Sequence, residues 1–249
     1  MELSKEISKW LLDYLNNNNL NAFVVGVSGG VDSALVSTLC ALTGAPTILI
    51  SMPIHQAVDQ LSRARDHADW LTQTYSNVSF REYDLTSLFD NFKSMFNSND
   101  NLALANSRSR LRMVTLYQVA AMNRGLVVGT GNKVEDFGVG FFTKYGDGGV
   151  DISPIADLTK SEVRQMAREL GILESIVTAK PTDGLWEDDR SDEDQIGATY
   201  EELEWAMNFE GNPEELVGRL EKVYYIYKTL NEQNKHKMVE IPIFKKTKL

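Results

Sequence analysis

The run Gly26-Val27-Ser28-Gly29-Gly30-Val31-Asp32-Ser33 joins an apolar stretch, Phe23-Val24-Val25, to a segment that reads as a helix from Ala34 to Cys40. A strand passing through a glycine-rich turn into a helix N-terminus makes an anion cradle. Unpaired N–H groups point outward, the helix dipole is positive there, and glycine admits a phosphate close to the backbone. Ser28 and Ser33 add hydroxyl donors. Asp32 is out of place in an anion site unless a divalent cation shares it, so the loop reads as one that grips a nucleotide phosphate with Mg2+ at hand. It is not a Walker loop, which needs Gly-x-x-x-x-Gly-Lys-Ser/Thr, because no lysine falls between Lys9 and Lys93.

Three later segments carry further chemistry. Thr130 ends an apolar run, Leu126-Val127-Val128-Gly129, and Glu135 follows as a second hard oxygen ligand able to share a Mg2+ with Asp32. Residues 140–151 combine glycines and aromatics with Lys144, Asp147 and Asp151. Such a segment is costly to order and therefore points to function. Its aromatic pair suits stacking on a flat ring, Lys144 and Asp151 suit a polar ligand, and Asp147 suits a base or an amine-binding group. Thr159 and Glu162 form a capping box, which puts Lys160 just inside a helix as a cation beside the phosphates. The acidic run Glu187–Asp194 reads as a solvated loop. The tail from Lys235 to Lys248, with five lysines against one glutamate, reads as a basic flap over phosphates.

These groups need a scaffold, and the pattern supplies one. Strands are expected at 23–27, 47–51, 78–83 and 126–129, with helices at 3–15, 32–43, 56–74, 85–97 and 101–124. Strands alternating with helices imply an α/β fold built on a doubly wound parallel sheet, whose sites lie at the carboxyl ends of strands. Residues 131–151 lack a clear period and are expected as an ordered functional loop. Helices resume at 160–170, 198–208 and 213–234. The organisation expected is one domain over 1–249, with a nucleotide-binding core at 1–160 and a helical extension with a basic tail at 161–249.

Composition narrows the class. The net charge of -10 argues against a nucleic-acid partner, which would want a basic face. No apolar stretch approaches the ~20 residues of a membrane span, and the charged, helical amino terminus is unlike a signal peptide, so a cytoplasmic location is expected. Cys40 is the single cysteine, which leaves no disulfide and no cysteine metal site. Its place in an apolar helix favours packing over catalysis.

Ser-Gly-Gly-Val-Asp-Ser at 28–33 resembles the pyrophosphate loop of the N-type ATP pyrophosphatases. Further motifs make the whole chain similar to the ammonia-dependent NAD synthetases: Asn-Ser-Arg-Ser-Arg-Leu-Arg-Met at 106–113, Phe-Phe-Thr-Lys-Tyr-Gly-Asp-Gly-Gly-Val-Asp at 141–151, Lys-Pro-Thr-Asp-Gly-Leu at 180–185, Asp-Glu-Asp-Gln-Ile-Gly at 192–197 and Lys-His-Lys at 235–237. The stretch at 141–151 is the most specific of them. The resemblance implies an adenine nucleotide alpha hydrolase-like, three-layer α/β/α fold and a two-step amidation of deamido-NAD. Its carboxylate is adenylated by ATP with loss of pyrophosphate, and ammonia then displaces AMP.

It further implies ATP on Gly26–Ser33, Thr130, Lys160 and Thr182, with Mg2+ on Asp32 and Glu135. Deamido-NAD would lie on Arg110, Lys144, Asp151, His236 and Lys237. Asp147, with Lys160 and Ser28, is placed among the catalytic residues, Asp147 receiving or deprotonating ammonia. Arg108 and Arg112 lie one helical turn apart and Arg110 points away from both, which divides their roles. A homodimer is implied, with the long helix near the subunit contact. The chain departs from the family where Gly131-Asn132 replaces the frequent Asp-His, and it leaves no residues for a glutamine amidase domain, so free ammonia is the expected donor. A tRNA-modifying or nucleotide-amidating adenylating enzyme and a non-catalytic nucleotide sensor are the competing classes. The tRNA enzyme is disfavoured by the acidic charge and missing cysteine pairs, the nucleotide amidotransferase by the lack of an amidase domain to support it, and the sensor by the 140–151 segment and Lys160.

Overall fold

The computed structural model describes residues 2–96, 100–182 and 191–246. Four strands, β1 (Ala22–Gly26), β2 (Thr47–Ser51), β3 (Val78–Glu82) and β4 (Gly125–Val128), form one parallel sheet in the order β3-β2-β1-β4. Helices α1 (Glu2–Asn17), α2 (Val31–Leu42), α3 (Val58–Thr74), α4 (Thr86–Ser94), α5 (Asn101–Asn123) and α6 (Lys160–Glu169) cover its two faces. β1, β2 and β4 are largely apolar because both of their faces are buried, as parallel sheets require, whereas β3 at the sheet edge exposes Ser79, Arg81 and Glu82. Alternation along the strands separates two cores. Phe23, Val25, Leu49, Leu126 and Val128 pack under α1, α2, α3 and α6, whereas Val24, Ile48, Ile50 and Val127 pack under α4 and α5. Each such side chain contributes roughly 2 kcal/mol of burial free energy.

The chain runs from β1 outward to β2 and β3, then returns to β4 on the other flank of β1. That reversal leaves a crevice at the carboxyl ends of β1 and β4, the usual place for a ligand in an open parallel sheet. Both the Gly26–Ser33 loop and Thr130 fall there.

Beyond β4 the expectation of an ordered functional loop over 131–151 needs correction. Lys133–Val139 is a π-helical turn, capped by the Asn132 side chain, which accepts from the Val134 and Glu135 N–H groups at 3.1 Å each. A π turn has neither of the periods that mark helix or strand in a sequence, and such turns gather at functional sites. Gly140, at φ 63, ends it in the left-handed region.

The carboxyl-terminal helices are α7 (Glu174–Val177), α8 (Asp192–Ile196), α9 (Tyr200–Met207) and α10 (Gly218–Met238). A third core joins Val134 and Val139 of the π turn to Ile196, Tyr200, Leu203 and Val223, so the extension packs on that turn. α7 and α8 are too short to show a period. α8 also corrects the acidic run: Ser191 and Asp194 make its capping box and Asp192 is buried. Residues 183–190 of the expected acidic loop and 247–249 of the basic tail lie outside the described residues.

The face of α2 beneath the glycine loop is tied to α3 by a buried pair. Ser37 donates its proton to the Ser33 carbonyl at 2.7 Å, so His67 Nε2–H donates to Ser37 Oγ at 2.8 Å. Burial holds the imidazole down to about 4, and the ring is neutral in the fold. The unfolded chain takes that proton near pH 6.5, so between those values it binds more protons than the folded state, and stability rises with pH. Lowering pH from about 6.5 to 4 should remove up to ~3 kcal/mol from this group. The urea midpoint measured against pH should fall across that window, and His67→Gln should flatten the fall. An unchanged slope in the variant would contradict the assignment.

Candidate active site

The glycine loop is held open by its own hydroxyls. Ser33 Oγ donates to the Gly30 carbonyl at 3.0 Å and accepts from the Ser28 N–H at 3.2 Å and Ser28 Oγ at 3.1 Å. Gly30 is the N-cap of α2, and no side chain caps that helix. Gly29 lies at φ 85, and a Cβ there would overlap the Gln60 carbonyl of α3. Only glycine allows α3 to press this closely on the loop. Arg63 Nε adds a hydrogen bond to the Gly29 carbonyl at 3.3 Å.

Three elements then converge on one ammonium. Lys160, the first residue of α6, places Nζ 2.5 Å from Asp32 Oδ2 in the first turn of α2 and 2.8 Å from Glu135 Oε1 in the π turn. Lys160 is 2% exposed. Burial opposes its charge, but the two carboxylates outweigh burial and raise its pKa. Burial also opposes ionisation of Glu135. The Lys160 charge, with hydrogen bonds from Lys160, Tyr200 and Asn132, overcomes it and holds the carboxyl below its ordinary value. Asp32 is pushed upward by burial, against the pull of Lys160 and with the repulsion of Glu135 adding to it.

Asn132 resolves the departure at Gly131-Asn132. The residue is fully buried, its oxygen caps the turn that presents Glu135, and its Nδ2 donates to Asp32 Oδ1 at 3.0 Å. One amide thus sets the backbone of one carboxylate and the side chain of the other. Gly131 leaves the space filled by the Asp136 carboxylate, which a Cβ would overlap.

These groups line a cavity of about 260 Å³ at the switch point of the sheet. Every residue of Gly26–Ser33 except Gly29 lines it, as do Thr130, Glu135, Lys160 and Thr182. Asp147 closes another wall. Its Oδ1 accepts from Ser109 Oγ at 2.6 Å and from the Thr143 N–H at 3.0 Å, and burial raises its pKa. Asp32 and Glu135 already share one cation and both are hard oxygen donors, so the pair fits Mg2+. Among the described residues no group of three or more His, Cys, Asp or Glu side chains forms a metal cage. Mg2+ sites that use one or two carboxylates plus phosphate oxygens need none.

Arg110, Lys144, Asp151, His236 and Lys237 lie outside this cavity. Four of them are connected along the 140–151 segment. Arg110 Nε donates to the Lys144 carbonyl at 3.3 Å, Lys144 Nζ donates to the His236 carbonyl at 3.0 Å, and Lys237 Nζ donates to the carbonyls of Gly140 and, at 2.8 Å, Phe142. Asp151 accepts from Tyr117 Oη at 3.0 Å and from the Val127 N–H at 2.7 Å, which fixes the segment beside β4. Arg110 does diverge from its neighbours: Arg108 stacks over Phe89 at 4.7 Å and Arg112 Nε donates to the Met52 carbonyl at 3.1 Å. Asn231 and Asn234 of α10 donate to the Gly138 and Val139 carbonyls at 2.7 and 2.9 Å, serving as an external cap for the end of the π turn.

Sequence reasoning missed Asn132, Ser109 and Tyr200. Asn132 carried a signal, an Asn three residues before Glu135 at a helix start. Ser109 sat inside the 106–113 motif without a role and Tyr200 carried no signal, because their partners lie 38 and 65 residues away.

A parallel doubly wound sheet with a phosphate loop and a bridged carboxylate pair at its switch point defines a nucleotide-binding α/β protein. The NAD synthase family matches residues 3–240, and the chain belongs to that family. It is 38% identical over 247 residues to the NH(3)-dependent NAD(+) synthetase of Carboxydothermus hydrogenoformans, covering 97% of each chain. With the protein of the same name from Picrophilus torridus it shares 39% identity over 239 residues, 94% of this chain and 91% of the other. Among solved structures it is similar to NMN synthetase from Francisella tularensis, with a TM-score of 0.86, 29% identity and 98% of each chain covered. The NH3-dependent NAD synthetase from Campylobacter jejuni, at 24% identity and a TM-score of 0.80 over 98% of each chain, shares the fold.

Asn132→Asp tests the bridging amide, because it keeps the capping oxygen and replaces the donor to Asp32 with a like charge. We expect stability to fall by about 3 kcal/mol and the turnover of the folded protein to fall ~100-fold. Turnover near the wild-type rate would show that the bond to Asp32 is dispensable.

Proposed function

We propose that the chain is a ligase that amidates deamido-NAD with ammonia at the expense of ATP, giving NAD, AMP and pyrophosphate. The observation that carries this reading is the convergence of Asp32, Glu135 and Lys160 at the mouth of the phosphate loop, with Asp147 on another wall of the same cavity. The names of the curated relatives support it.

A carboxylate is a poor acyl donor until its oxygen becomes a leaving group. Here a nicotinate oxygen attacks the α-phosphorus of ATP and pyrophosphate departs. The nitrogen of ammonia then attacks the carbonyl carbon of the acyl adenylate, AMP leaves, and Asp147 takes the proton lost by the nitrogen. The Gly26–Ser33 loop donates N–H and hydroxyl groups to the phosphates, Lys160 offsets charge on them, and Thr130 and Thr182 contact the nucleotide. Mg2+ on Asp32 and Glu135 would supply Lewis-acid charge to the same phosphates. Fixed donors and cations of this kind cost no reorganisation during the reaction.

Arg110, Lys144, Asp151, His236 and Lys237 hold the dinucleotide on the adjoining surface. We place the protein in the cytoplasm as a homodimer in which 1–160 and 161–249 act as one domain. No helix among the described residues is long and apolar enough to cross a membrane. Val114 and Met122 of α5, 67% and 68% exposed, and Leu88 of α4, 51% exposed, offer the apolar face for the subunit contact.

The likeness to NMN synthetase over 98% of both chains favours a second reading, in which the acid form of the mononucleotide is amidated. Both readings are tested together by supplying ATP and Mg2+ with either acid and with ammonium or glutamine. NAD and AMP should form from deamido-NAD and ammonium, on protein that sediments as two chains. Faster turnover of the mononucleotide would transfer the assignment to the second reading, and product with neither acid would end both. Asp32→Ala should abolish pyrophosphate release, whereas Asp147→Ala should retain it and slow the ammonia step. Equal loss of both steps would remove Asp147 from that role.

A further inference from the structure

We propose that Tyr200 is a positioning residue of the active site, orienting Glu135 through its phenol and Lys160 through its ring. The inference rests on the amidation reading above. Tyr200 is fully buried and opens α9, where the Glu193 carboxylate accepts its N–H at 3.0 Å and Thr199 and Glu202 form a capping box. From that fixed start the side chain reaches out of the third core to Glu135 and Lys160, which line the cavity. Its hydroxyl donates to Glu135 Oε1 and lies 3.3 Å from Asp192 Oδ2, while Lys160 Nζ sits over the ring, 4.7 Å from its centroid.

A buried tyrosine needs a partner for its hydroxyl, and any core acceptor would meet that need. Here the acceptor is a carboxylate that also holds the Lys160 ammonium, and the ring contacts that same ammonium. Both bonds fall on a single oxygen, Oε1, so together they fix the rotation of the Glu135 carboxylate about its long side chain. The cation–π contact steadies Lys160 without adding a third charge to a cluster that holds two carboxylates for one ammonium. A neutral donor suits this place, because a second cation would compete for the metal position and a carboxylate would repel Glu135. Tyr200 also gives the carboxyl-terminal helices a part in the site, since α9 presents it and α10 packs behind α9 through Val223.

The test uses Tyr200→Phe, which keeps the ring and removes the hydroxyl. Binding of Mn2+ to the full-length protein with a non-hydrolysable ATP analogue is followed by electron paramagnetic resonance, which requires no turnover. Y200F should weaken Mn2+ binding about tenfold and raise the Mg2+ needed for half-maximal NAD synthesis by a similar factor. Far-UV circular dichroism should match wild type, and the KM for ATP should change less than the Mg2+ requirement. Tyr200→Leu, which also removes the ring from Lys160, should raise the KM for ATP as well. Tyr200→His carries an N–H too short to span to Glu135 and gives the same readout if Y200F does not fold. Wild-type Mn2+ affinity in Y200F, or in Y200H where that is the variant measured, would overturn the proposal. Failure of the wild-type protein to make NAD would instead remove the reading on which it rests.

Discussion

A buried ammonium shared by two carboxylates is the constraint from which the rest of the structure follows. Lys160 reaches Asp32 across 128 residues and Glu135 across 25, and all three are largely withdrawn from water. Charges in that position destabilise a fold by several kcal/mol unless each has a close partner and its remaining polar atoms are bonded. The sheet order brings the ends of β1 and β4 together, the capping box fixes the start of α6, and Asn132 holds the carboxylates in register. Removing one partner would strand the others, which is why the cluster behaves as a unit.

The same cluster explains the irregular backbone beside it. An ordinary helix would set Val134 and Val139, five residues apart, about 140° from each other, and the π turn brings both into the third core. The turn carries Glu135 and Asp136 at the cavity and ends at Gly140, against which α10 packs so closely that a Cβ would meet Asn234 and Met238. Its last carbonyls, left without helical partners, are taken by Asn231, Asn234 and Lys237 of α10. A local departure from regular structure is thus stabilised by the carboxyl-terminal helix. The 140–151 segment, anchored at one end by that helix and at the other by Asp151 on the Val127 N–H, then carries Asp147 into the site.

Much of this architecture was legible in the sequence because it rests on local patterns. Runs of four to six residues between helical segments placed all four strands, with β2 at its observed bounds, and the glycine loop could be placed at a strand end from residue types alone. Asp32 and Glu135 were paired because a phosphate site calls for hard ligands near it, and the fold brings both carboxylates to Lys160. What stayed hidden depends on contacts between distant residues or on unusual backbone. The π turn has no sequence period, α8 is five residues long inside an acidic run, and the burial of Asp192 becomes sensible only once Tyr200 is in place. Lys160 was expected as a phosphate ligand, and nothing in its surroundings in sequence announced that it bridges both carboxylates.

If this cluster serves attack of a carboxylate on the α-phosphorus of ATP, the oxygen that carries the new bond can be followed by a label. Deamido-NAD carrying oxygen-18 in its nicotinate carboxylate is incubated with ATP, Mg2+ and ammonium, and the products are examined by mass spectrometry. One labelled oxygen should pass to AMP for each NAD formed, with none in pyrophosphate. Label in inorganic phosphate or pyrophosphate, or AMP formed without label, would contradict that mechanism.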